Sequence, residues 1–170
     1  MKVTELLKDE HKFILKKIDE AVEKTEHDMN CDVSYWEYFV SFLENYADNY
    51  HHAKEEKIYF KWLIANSPGI EHGPIRCMLL EHESGRTLVS EMKLAIEKIK
   101  GGETEAWNNL KKNLIDYSNL LRDHINKENN VLYNIADNLD ERVQNGDATM
   151  LPLFDEIDTK FSSQLAKFVK

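Results

Sequence analysis

The chain has 170 residues, 42% of them hydrophobic and 31% charged, with a formal net charge of -9. That length suits one domain with a core large enough to need no disulfide or metal staple. The acidic balance argues against a nucleic-acid partner and against an anionic membrane surface, and no apolar run approaches the roughly 20 residues of a spanning helix. With only 3 Pro and 6 Gly, the sequence reads as mostly helix. Cys31 and Cys77 form no metal-binding spacing, and the N-terminal MKVTELLKDEH lacks the apolar stretch of a secretory leader. A reducing cytoplasm with two free thiols is the expectation.

Five helical segments follow in chain order. The first spans about 4–27, capped by Thr4, with Val3, Leu7, His11, Ile14, Ile18 and Val22 on one face. The second spans about 34–65, with Phe39, Phe42, Tyr46, Asn49, Ala53, Glu56, Phe60 and Leu63 as its inward stripe, and stops at Asn66-Ser67-Pro68-Gly69. The third runs from Pro74 to Ile99, with Ile75, Met78, His82, Gly85, Val89, Met92 and Ile96 aligned, and stops at Gly101-Gly102. The fourth, about 103–144, aligns Leu110, Leu114, Tyr117, Leu121, His124, Glu128, Val131, Ile135 and Leu139, and closes at Asn145-Gly146. A fifth, about 152–168, carries Phe154, Ile157, Phe161, Leu165 and Phe168 on one side. Four long helices with short turns predict an all-α, antiparallel up-down four-helix bundle over 1–145. Residues 146–170 should pack on it as an additional helix.

Polar residues interrupt these stripes where Leu or Ile would keep the pattern: His11, His52, Glu56, His82, His124 and Glu128. Buried charges are costly unless paired or bound to metal, and four imidazoles with two carboxylates satisfy one another best around cations. HxxxE places a nitrogen and an oxygen one turn apart on one helix face, so both reach the same centre. The pattern recurs as His52/Glu56 and His124/Glu128. HHAKEE also contains the overlapping pair His51/Glu55. Helical periodicity puts His52 and Glu56 inward and His51 and Glu55 on the flank. Glu10 and Glu81 are expected toward solvent or as hydrogen-bond partners of the ligands, and His27 and His72 away from the centre. Imidazole plus carboxylate without thiolate suits iron, manganese or zinc. No histidine has a glutamate three residues before it, so the Glu-x-x-His pairs of ferritin-type sites are absent.

DEH at 9–11, HHAKEE at 51–56, GPIRCMLLEHESGR at 73–86 and DHINKENNVLY at 123–133 resemble the hemerythrin-like, or HHE cation-binding, domain. The resemblance covers about 1–145. It implies a four-helix bundle with a non-haem di-iron centre, the two Fe ions oxo- or hydroxo-bridged, with Zn or Mn as other occupants. Oxygen-carrying members have HxxxH on the third helix, where this chain has Met78 four residues before His82, and HxxxxD where it has His124/Glu128. The set of four histidines and two glutamates is similar to that of the iron–sulfur-cluster repair di-iron proteins, whose cysteine-bearing N-terminal domain this sequence does not show. The expected function is binding of O2 or a related diatomic such as NO for sensing, storage or delivery. The alternative is a redox stress protein acting on nitric oxide or peroxide, or donating iron. Whether it is an enzyme is left open, as is its redox partner.

Overall fold

A computed structural model describes residues 2–27, 32–143 and 145–169. Among them all regular structure is helical: α1 (Val3–His27), α2 (Val33–Phe42), α3 (Phe60–Asn66), α4 (Pro74–Lys100), α5 (Ala106–Lys127), α6 (Tyr133–Val143) and α7 (Gly146–Leu165). The expectation of a free Cys31 falls outside the described residues; Cys77 is free and exposed. No helix among them is long and apolar enough to cross a membrane.

The bundle consists of four rods with α7 laid against them. The first rod is α1 and the third is α4. The second and fourth are continuous but not uniformly α-helical. Leu43–His52 and Glu55–Tyr59 join α2 to α3 with π-helical winding, and Glu128–Leu132 joins α5 to α6 in the same way. Bonds from i to i+5 widen each turn, so the inward face advances by more residues per turn than in an α-helix.

Local chemistry accounts for most boundaries. Asp32 caps α2, accepting from Ser34 N at 2.9 Å. Pro74 occupies the first turn of α4, where its missing N–H costs nothing. Gly69 and Gly102 end turns at φ 93° and 94°, the left-handed region that favours glycine. Thr4 does not cap α1. It is buried inside the helix and donates to Asp137 Oδ1 at 2.8 Å, while the Val3 N–H donates to Asp147 Oδ1 at 2.8 Å. The first turn is therefore held by α6 and α7.

The stripes of α1 and α4 run inward as read from sequence: Leu7, His11, Ile14 and Ile18 are buried, as are all seven positions from Ile75 to Ile96. The other two rods depart within their π segments. Asn49 is exposed and Glu56 half-buried, whereas Phe39, Leu43, Ala47, His51, Glu55, Tyr59 and Leu63, four apart throughout, are all buried. On the fourth rod Val131 is exposed, and Leu132 and Ala136 take the core positions.

Two apolar clusters fill the bundle. One gathers Ile14, Ile18, Trp36, Phe42, Met92 and Leu114; the other gathers Val3, Leu7, Tyr59, Leu63, Ile75 and Phe154. His11, His51, His52, His82 and His124 belong to neither, and on α1 His11 stands between Leu7 and Ile14 of the two clusters. A layer of buried polar side chains thus separates two dry ends, where each must find a partner within the protein or a bound ion.

Helix α7 begins six residues before the expected start at 152 and runs through Pro152. Its Met150, Phe154 and Leu165 are buried. At its start, a Cβ on Gly146 would lie 2.4 Å from Trp62 and 2.5 Å from Asp140. Gly146→Ala is therefore expected to destabilise by about 1–3 kcal/mol, the usual range for overpacking. Thermal unfolding of the variant checks this; an unchanged midpoint would show that Trp62 moves aside freely.

Candidate metal centre

Two groups of donors meet in the polar layer. His52, Glu55, His82 and His124 offer ligand atoms within 4.8 Å of one another, and so do His11, His51, Glu55 and Glu128. Every member is buried. The rods contribute unequally: α1 supplies His11; the π-wound second rod supplies His51, His52 and Glu55; α4 supplies His82; the fourth rod supplies His124 and Glu128.

Each of the five rings has its Nδ1 on an oxygen. His51 Nδ1 faces Glu10 Oε2 at 2.8 Å, His52 faces Asp48 Oδ1 at 3.2 Å, His82 faces Glu56 Oε1 at 2.7 Å, His124 faces Glu81 Oε2 at 2.9 Å, and His11 faces Asn129 Oδ1 at 3.0 Å. These oxygens accept, so each Nδ1 carries the proton and each Nε2 is left with its lone pair. That arrangement is how proteins orient metal-ligating imidazoles.

The Nε2 atoms converge on the two carboxylates. Glu128 Oε2 lies 3.3 Å from His11 Nε2 and 3.2 Å from His124 Nε2; Glu55 Oε2 lies 3.6 Å from His51 Nε2 and 3.5 Å from His82 Nε2. Each glutamate thus stands between histidines of both groups, the place of a bridging ligand. His82 Nε2 and His124 Nε2 approach to 3.0 Å. With both Nδ1 atoms donating elsewhere, two lone pairs face each other unless a proton or cation stands between them. His11 Nε2, Glu55 Oε2 and both oxygens of Glu128 are buried without a hydrogen-bond partner. Orphans of this kind cost about 1–3 kcal/mol each. The donor set therefore fits a pair of cations, which would satisfy all of them at once.

The electrostatics favour neutral imidazoles at His51, His52 and His82. Burial, reinforced by the neighbouring imidazoles, holds His51 well below its ordinary value and His52 at about 3. Burial also lowers His82. Burial would lower His124 too, but Glu128 and Glu81 outweigh it and raise that ring. The carboxylates diverge: burial and then Glu128 push Glu55 well above the usual range, while His124 and His11 overcome burial and hold Glu128 well below it. Glu55 also differs in what it offers. Tyr133 Oη donates to its Oε1 at 2.6 Å, leaving Oε2 for the centre, whereas Glu128 presents both oxygens.

A family model described as the hemerythrin HHE cation binding domain matches residues 2–136. The chain belongs to that family. Neither a comparison with curated proteins nor one with solved structures finds a match. Cation binding is accordingly the property that family and geometry share.

Within this hemerythrin-like domain the structure brings His11, His52, His82, His124 and Glu128 together, but not Glu56. Glu56 lies outside the centre and accepts from His82 Nδ1 and from Arg86 Nη2, both at 2.7 Å. Glu55 takes the inward place and His51 joins as a fifth imidazole. The π winding is the reason: it shifts the inward face to the four-residue spacing that selects His51 and Glu55, while the wide turn still lets His52 stack on His82 at 3.8 Å. His52 thereby adds a third imidazole to the His82/His124 group, although the third helix carries Met78 in place of a second histidine. Glu10 and Glu81, missed as particular partners, each hold an Nδ1; a carboxylate beside a ligand position on a neighbouring rod is the signal that could have found them. His27 ends α1 exposed and His72 is exposed in its turn, both away from the centre.

Arg86 closes the outer side of the His52, His82 and His124 group. Its Nε donates to Asp48 Oδ1 at 2.9 Å, so one guanidinium fixes the carboxylates behind both His52 and His82. Beside it a cavity of about 310 Å³, lined by Leu43, Asp48, His52, Arg86, Val89 and Tyr117, reaches His52. Burial would raise Asp48 and Glu56, but their hydrogen bonds to His52, His82 and Arg86 prevail and hold each at about 2. Both folded values lie below the ordinary 3.8 and 4.5. The stability they contribute is therefore complete above about pH 4.5 and is lost as pH falls toward 2. Metal-free Arg86→Met should be less stable than wild type by about 1–2 kcal/mol at neutral pH, the deficit shrinking over that acidic window. Denaturant titrations at several pH values measure it; a deficit constant with pH would contradict the assignment.

Proposed function

We propose that the protein is a non-haem di-iron protein that binds O2 or a related small molecule, for sensing, storage or delivery. The unequal donor count carries this reading: three imidazoles serve one position and two the other, with Glu55 and Glu128 placed to bridge. The position of His11 and His51 has two imidazoles where the other has three, so an exogenous ligand would bind there. Nitrogen and oxygen donors without thiolate suit iron, which supplies a reversible one-electron couple at each ion. The residues do the rest. Two apolar clusters keep water away, the five Nδ1 partners fix the rings, and Tyr133 holds one oxygen of Glu55.

Iron-loaded protein, reduced without air and then exposed to O2, should show a new absorption band that fades on evacuation and returns on re-exposure. Oxidation with no recoverable bound species would remove O2 binding from the reading. Turnover of nitric oxide or peroxide above that of free iron in the same assay would place the protein among redox stress proteins instead.

A further inference from the structure

Helix α7 lies beyond residues 2–136 of the family match, yet it reaches the metal layer through one side chain. Lys54, on the second rod, is 1% exposed. Its ammonium donates to Glu10 Oε1 at 2.5 Å and to Tyr50 Oη at 2.7 Å, and pairs with Asp158 Oδ1 of α7 at 2.6 Å. Three donors thus meet three acceptors, and the charge is fully spoken for. Glu10 divides its two oxygens, Oε1 to Lys54 and Oε2 to His51 Nδ1. Any movement of the ammonium therefore re-aims Glu10, and with it the ring of His51.

The comparable carboxylates of the other group are tied differently. Arg86, which holds Glu56 and Asp48, has a side chain 35% exposed, and Lys127, which holds Glu81, is 39% exposed. Water can replace those cations' partners. It cannot reach Lys54 while α7 is docked, because Phe154 of that helix also covers the ammonium at 5.4 Å from its ring centre. Breaking a buried pair on one side leaves the remaining charge uncompensated, which is costly where an exposed pair would lose little.

We propose that Lys54 and Asp158 are positioning residues for His51, making α7 a functional part of the metal centre. Docking of α7 and metal occupancy of the His11/His51 position are linked, and the linkage is reciprocal. The inference rests on the reading of the two donor groups as metal positions. Whatever draws α7 away, a partner or a change of its sequence, loosens one metal and leaves the other in place.

Anaerobic Fe(II) titration of the whole chain tests it. In Asp158→Asn one of two binding steps should weaken about 10-fold, the lower range for losing an outer partner of a ligand, with the other step unchanged. Asp158→Glu should restore it, and Glu156→Gln, exposed on the same helix, should behave as wild type. Hydrogen exchange of 146–165 in the wild-type chain needs no variant: Fe(II) should slow it. Two binding steps unaltered in Asp158→Asn, or exchange of α7 indifferent to Fe(II) in a chain that binds two ions, would overturn the link alone. A wild-type chain that binds no Fe(II), Zn(II) or Mn(II) would overturn the metal positions as well.

Discussion

Glu55→Ala should abolish binding of the metal pair, whereas Glu56→Ala should leave two ions bound at about 10- to 100-fold weaker affinity, the range for losing a residue that orients a ligand. The two substitutions are chemically identical and one residue apart, so composition and helix propensity cannot separate them. Geometry does. Glu55 is fully buried, appears in both donor groups and has an oxygen with no other partner. Glu56 is half-exposed and already engaged by His82 and Arg86. Removing Glu55 takes a donor from both positions; removing Glu56 frees the His82 ring to turn but takes no donor away. Metal content after loading and desalting, with competition titrations for affinity, reads the difference. Equal loss in both variants, or the greater loss in Glu56→Ala, would return the inward place to Glu56.

Chelation of the loaded protein should lower its unfolding midpoint by about 5–10 °C for each ion bound at 100-fold above its Kd. Saturation to that degree contributes about 2.7 kcal/mol per site, and a chain of this size shifts by about 2–4 °C per kcal/mol. The structure gives the same sign independently. Without cations the core holds four partnerless donor atoms on His11, Glu55 and Glu128 and a close Nε2 pair between His82 and His124. The clusters on either side of the layer are large enough for the metal-free chain to remain folded, so the effect should be a lowered midpoint, not lost helicity. Calorimetry before and after chelator measures it, and coincident transitions would show that the layer is satisfied without metal.

The bundle was readable because most of its helices are regular. In α1 and α4 the apolar residues recur at α-helical spacing, so His11 and His82 stand out as interruptions. His124 and Glu128 stand out equally, since they precede or begin the π segment of their rod. Past that point the reading slips by one, taking Val131 for Leu132. On the second rod the slip comes earlier and reaches the donor groups, replacing Glu55 by Glu56 and leaving His51 on the flank. An α-helical template could not have placed them, because the backbone there does not wind as an α-helix. A second template was available in the same residues. Phe39, Leu43, Ala47, His51, Glu55, Tyr59 and Leu63 step by four without a polar exception other than the donors His51 and Glu55. The hydrogen-bond partners on neighbouring rods, and the reach of Asp158 to Lys54, depend on tertiary placement that no single-helix pattern encodes.

The wide winding of Leu43–His52 also bears on which changes this chain can tolerate over time. A π segment behaves as an α-helix holding one surplus residue. Losing a residue there, such as the exposed Asn49, would let the rod relax to α-helix with its two ends still facing as before, because the wide turns are what absorb the surplus. The Phe39–Ala47 and Glu55–Leu63 halves would keep their packing, whereas a residue lost from the regular α4 would turn its ends against each other by about 100°. The number of residues is thus held less tightly in that stretch than in α1 or α4. Among relatives of this domain, gaps should fall there sooner than in the regular helices.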